Sequence, residues 1–138
     1  MYVYMNKFIK TILIISILIL SIDGIVLSLI KKIWKKTIED VQHKPFAPKV
    51  KYAICSYLLL IFGLYYFVYR HINQTNWIYD TLINGFLFGF ILYGVFDFTN
   101  LAIFTDYSLF TGIIDMIWGG MLMSITAFTT FYILNIKH

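Results

Sequence analysis

Residues 95–120 read VFDFTNLAIFTDYSLFTGIIDMIWGG. Apolar residues dominate both sides of a short polar turn, TDYSLF over residues 105–110, so the stretch folds back on itself as the junction of two antiparallel membrane helices. Within it stand Asp97, Asn100 and Asp115. A carboxylate at the centre of a bilayer costs about 2.5 to 3.5 kcal/mol on insertion scales, so such residues call for a physical reason.

The rest of the chain has the same character. Its 138 residues are 60% hydrophobic and only 13% charged, with a mean hydropathy of +0.79. A soluble fold of this length still exposes a large share of its surface and could not hide so much apolar area. A crossing helix needs about 20 mostly apolar residues, and 8–30, 52–69, 81–104 and 111–134 all qualify. The runs are continuous rather than alternating and too few to close a barrel. The predicted fold is therefore all-α: a polytopic membrane protein whose four transmembrane helices form a bundle, in one domain over residues 1–138. Lys7 and Lys10 ahead of TILIISILILSI resemble the start of a secretory signal, but Asp23-Gly24-Ile25-Val26 lacks a small-x-small cleavage pattern and the apolar run resumes after it. The first span is read as retained.

Spans one and two are joined through LIKKIWKKTIEDVQHKPFAPKVK, residues 29–51. Ile30, Ile33, Trp34, Ile38 and Val41 recur at helical spacing, with Lys31, Lys32, Lys35, Lys36, Glu39 and Asp40 on the other face. This pattern predicts an amphipathic helix lying in the membrane interface, with Lys31, Lys32, Trp34, Lys35 and Lys36 contacting lipid headgroups, and Pro45 and Pro48 ending it. The expected partners are the bilayer and its anionic headgroups. No recognition fold accompanies the basic patch, which argues against nucleic acid. Seven lysines in this segment against Lys7, Lys10, Arg70 and Lys137 on the other side favour a cytoplasmic lysine-rich segment with both termini opposite.

Connectivity brings the polar residues together. Spans one and three run the same way and span four runs back, so Asp23 and Asp97, each about seven residues before a span's end, and Asp115, about four after a start, sit roughly 6 to 11 Å below one membrane face. Tyr93, Asp97, Asn100 and Phe104 share one stripe of span three; Thr111, Asp115, Trp118, Gly119, Leu122, Thr126 and Thr129 share one of span four. Ser16 and Asp23 share a face of span one. Gly85 and Gly89 form a Gly-x-x-x-Gly that allows close helix packing. No Lys or Arg lies at that depth within a span. Three acids there must be protonated, bonded to neutral donors, reached by water or paired with a bound cation.

Catalytic chemistry has little support. His43, His71 and His138 lie outside the spans without metal-ligand spacing, the single Cys55 excludes an intrachain disulfide and a Cys-based metal box, and no nucleophile elbow or phosphate loop is present. Asp97 and Asp115 superficially offer the facing pair of an intramembrane aspartyl protease, but the Gly-containing motifs of such enzymes are missing around them. The reading leans against an enzyme, and no cofactor is implied.

The block FDFTNLAIF followed by IIDMIWGG resembles the membrane-protein family catalogued as domain of unknown function 2177. The family's pattern, an aromatic-Asp-x-Thr-Asn-Leu-Ala block and then Asp-x-x-Trp-Gly, maps onto Phe96, Asp97, Thr99, Asn100, Leu101 and Ala102, then Asp115, Trp118 and Gly119. Asp23 matches the family's Asp in the first span, while Val26 stands where a Trp is expected. The resemblance implies four spans over nearly the whole length and brings no activity, substrate or cofactor.

Two functions are compatible with these features. In one, Asp23, Tyr93, Asp97, Asn100, Asp115 and Trp118 bind or move a proton, a cation or a small polar ligand. In the other, the same residues serve helix packing in a structural or assembly component of a cellular or virion membrane, acting as a homo-oligomer or with a membrane partner protein.

Overall fold

The structure, a computed structural model, describes the backbone of residues 2–135 and the side chains of residues 6–135. It comprises four long helices: α1 (Tyr2–Gln42), α2 (Val50–His71), α3 (Trp77–Ile103) and α4 (Leu109–Asn135). All four are long and apolar enough to cross a membrane. Leu29, Ile17, Leu59, Val95 and Phe110 are among the many large apolar side chains left exposed on their outer faces. Contiguous apolar surface of that extent needs lipid rather than water.

The expected element boundaries need one correction. No separate interfacial helix follows Ile30; α1 continues unbroken for 41 residues, about 61 Å at 1.5 Å per residue. The reason is phase. Asp23, Leu27, Ile30, Trp34, Thr37 and Val41 fall at i, i+4, i+7, i+11, i+14 and i+18, so the apolar stripe of the span runs straight into the amphipathic segment. Thr37 on that stripe is buried, and its hydroxyl shares a 2.8 Å hydrogen bond with that of Thr111 on α4. The helix stops at His43, which adopts the left-handed region with φ 51°. There the Gln42 amide donates to the carbonyls of Lys44 and Pro45, and the Phe46 N–H donates to Glu39. Side chains thus close the end of a helix that carries no glycine cap.

Of the four helices, α4 is the most buried. Of the stripe that the periodicity predicts, Thr111, Asp115, Gly119, Leu122 and Thr126 are buried and Trp118 and Thr129 are half-buried. Ile15 and Ile19 from α1, Ile61, Leu64 and Val68 from α2, and Leu122, Met123 and Ala127 from α4 make up the core. A wider π turn over Leu64–Val68 lets both of its end residues point into that core.

Glycine sets the distance between α3 and α4. A methyl group on Gly89 would collide with the Gly119 carbonyl, and one on Gly85 would lie 2.9 Å from the Ser124 Cα. The Ser124 hydroxyl donates to the Leu82 carbonyl at 2.9 Å across the same contact. The Gly-x-x-x-Gly of α3 is therefore a close-packing surface against α4. Gly24, by contrast, has nothing within 4 Å. Gly89→Ala should lower stability in detergent by about 1 to 3 kcal/mol through overpacking. Gly24→Ala should leave it unchanged or raise it by up to about 1 kcal/mol through helix propensity. Helical circular dichroism followed through denaturation of both variants tests the pair.

Candidate functional site

The first span supplies Asp23, on the same face as Ile15 and Ile19 and 5% exposed. Its two oxygens are each bonded to a different helix. The Tyr57 hydroxyl of α2 donates to Oδ2 at 2.6 Å, and the Trp118 indole N–H of α4 donates to Oδ1 at 2.9 Å. Neutral donors thus satisfy this carboxylate, and in doing so they tie three helices at one point.

Asp115 has a different environment. It is 6% exposed, and its carboxylate has no hydrogen bond among the described residues. It lines a cavity of about 540 Å³ between α1 and α2 that also contains Asp23, Tyr57 and Tyr93. This volume falls within the range of small-molecule sites. Tyr93 is held in place by its ring, which lies flat against Gly119 and leaves no room there for a side chain.

The cavity is graded in charge along its length. Asp23, Asp115, Tyr57 and Tyr93 occupy the inner end, Ser28 and Ser56 the middle, and Lys31, Trp34 and Lys35 the rim. The order follows from α1, along which Ser28, Lys31 and Lys35 succeed Asp23 at 1.5 Å per residue. Lys32 and Lys36, expected beside Lys31 and Lys35 as headgroup contacts, are exposed and lie outside the cavity. Lys35 is within 3.9 Å of Glu39, whereas Lys31 makes no ion pair among the described residues.

Asp97 and Asn100 do not join this cavity. Asp97 is 1% exposed and its Oδ1 accepts a 2.7 Å hydrogen bond from the hydroxyl of Tyr107, in the turn before α4. Burial, together with that bond, raises the Tyr107 phenol above its ordinary pKa, which keeps it a donor. Asp97 Oδ2 is buried without a partner among the described residues, and Asn100 lies beside the same phenol. The six residues expected to share a site therefore divide into two groups. Asp23, Tyr93 and Asp115 face the cavity, with Trp118 bonded to Asp23 from outside it. Asp97 and Asn100 belong to the α3–α4 turn. Among the described residues no three His, Cys, Asp or Glu side chains come together as metal ligands.

Three partners escaped the helical pattern: Tyr57, Tyr107 and Thr37. Tyr57 was within reach of the depth argument, since it lies about five residues into span two and so roughly 8 Å below the same face. Tyr107 stands in a turn, where periodicity carries no information.

Comparison with known proteins agrees with this architecture. The profile of a family described as predicted membrane protein (DUF2177) matches residues 8–132. The chain belongs to this family. No curated protein and no solved structure matches it. The DUF2177 protein is thus an integral, multi-pass membrane protein with four candidate spans. In this DUF2177 chain, Asp97 lies at the α3–α4 turn bonded to Tyr107, Asp115 lines the cavity, and Trp118 bonds Asp23 from outside it.

Tyr57→Phe and Trp118→Phe should each destabilise the protein by about 0.6 to 2 kcal/mol. Because both donate to one carboxylate, their effects should depart from additivity by at least about 0.5 kcal/mol. Asp115→Asn, which loses no hydrogen bond, should unfold at the same or a higher denaturant concentration than the unsubstituted chain. Unfolding curves of the single and double variants in one detergent provide the comparison.

Proposed function

We propose that this DUF2177 protein binds a small polar ligand carrying a positively charged group in the cleft between α1 and α2. The carrying observation is Asp115: a residue only 6% exposed, whose carboxylate has no hydrogen bond among the described residues and lines a cavity large enough for a small molecule. A buried charge is retained when something compensates it. Asp23, already supplied with two donors, adds negative potential to the same end, and the Tyr57 and Tyr93 rings shape its walls. The absence of a metal-ligand group among the described residues directs the reading to an organic cation rather than a metal ion.

The lysine-rich face of α1 then serves as the membrane-surface side of the site. Its lysines face the cytoplasm and engage anionic headgroups, with Trp34 at headgroup depth. A second reading, an assembly component whose polar residues fix helix packing, draws support from the two bonds of Asp23 to α2 and α4. It accounts for Asp23 and gives no role to Asp115.

Titration calorimetry of the detergent-solubilised protein with ethanolamine tests the ligand reading. Saturable heat is expected for the unsubstituted chain, with affinity reduced at least about tenfold in Asp115→Asn, the loss of one charge-assisted contact. Equal binding by both proteins, or none by either, would overturn it and leave the packing role.

A further inference from the structure

The cavity carries information about the other end of its ligand. Beyond the acids, its rim is basic: Lys31 lies eight residues after Asp23, two turns or about 12 Å along the axis, and lines the same cavity. A lysine stem reaching back along the helix shortens that span to the length of a small molecule with opposite charges at its two ends. Lys31 is also the rim lysine without an ion pair among the described residues, since Lys35 already faces Glu39.

A lysine ammonium without a partner is a point charge that favours an anion such as a phosphate. The inner end, with Asp23 and Asp115, favours a cation. Ser28 and Ser56 between the two provide hydroxyls for a polar linker, and Leu27 and Leu60 provide apolar walls. Acids at one end of the cavity and an unpaired lysine at the other match a zwitterion better than they match either ion alone.

We infer that the ligand is a zwitterion of the phosphoethanolamine type, its ammonium group held by Asp115 beside Asp23 and its phosphate by Lys31. This inference rests on the cationic-ligand reading above and adds the anionic half. The same chemistry is carried by a free phosphoethanolamine and by the headgroup of an aminophospholipid.

Calorimetry with O-phosphoethanolamine and ethanolamine separates the two layers. The phosphate-bearing compound should bind the unsubstituted protein at least about tenfold more tightly, the increment of one charge-assisted contact. Lys31→Gln should abolish that increment, Lys36→Gln outside the cavity should keep it, and Asp115→Asn should weaken both compounds. If ethanolamine and O-phosphoethanolamine bind equally and both depend on Asp115, the zwitterion inference fails while the cationic-ligand reading survives. If neither compound binds, both fail. The source is decided by native mass spectrometry of protein released from nanodiscs containing phosphatidylethanolamine and phosphatidylglycerol. Selective retention of phosphatidylethanolamine that is lost in Lys31→Gln and Asp115→Asn identifies a lipid, and its absence alongside tight O-phosphoethanolamine binding identifies a soluble solute. Helical circular dichroism of each variant confirms that a lost signal reflects the site and not the fold.

Discussion

A carboxylate within hydrocarbon has no water to satisfy it, and Asp23 meets this constraint by taking one donor from each of two other helices. The phenol of Tyr57 and the indole of Trp118 converge on its two oxygens. Much of the arrangement depends on that junction. It sets the register of α1 against α2 and α4, and it places the inner end of the cavity, because the oxygens that would otherwise draw in solvent are already occupied. Asp115, a short distance along α4 from Trp118, is left facing the open space with no such provision. Two aspartates of similar depth and burial thus differ in what their surroundings supply, and this difference separates a structural group from a candidate binding group.

Close packing elsewhere makes the junction possible. The Gly85 and Gly89 face of α3 meets α4 backbone to backbone, so that Tyr93 can lay its ring on Gly119 and still reach the cavity. Dispersion and interhelical hydrogen bonds hold such a pair in lipid, where the hydrophobic effect does not distinguish a neighbouring helix from an acyl chain. The α3–α4 contact is therefore the rigid wall of the molecule, and α1 and α2, which touch each other less, bound the open side.

Most of this architecture could be read from the residues. Four spans, the hairpin at TDYSLF and the common depth of Asp23, Asp97 and Asp115 follow from length, hydropathy and antiparallel connectivity. What depth cannot supply is lateral position. Tyr93 and Asp97 are four residues apart on α3 and share a stripe, yet one faces the cavity and the other is taken by Tyr107, because a turn residue follows no helical phase and its side chain can close over either neighbour. The continuation of α1 past Ile30 was hidden for a related reason: a spanning helix and an interfacial helix have the same 3.6-residue period, and the stripe alone does not tell whether the rod bends between them. The buried Thr37, polar but on the apolar face, was the available sign that this segment packs against protein.

The unbroken length of α1 has a mechanical consequence. One stiff rod carries the basic segment and, two to four turns further in, the carboxylate that joins three helices. Thr37 near its outer end and Asp23 further in both bond to α4, through Thr111 and Trp118. A shift of the basic segment against α4 therefore breaks two anchors set fourteen residues apart, and the rod moves as a whole or not at all.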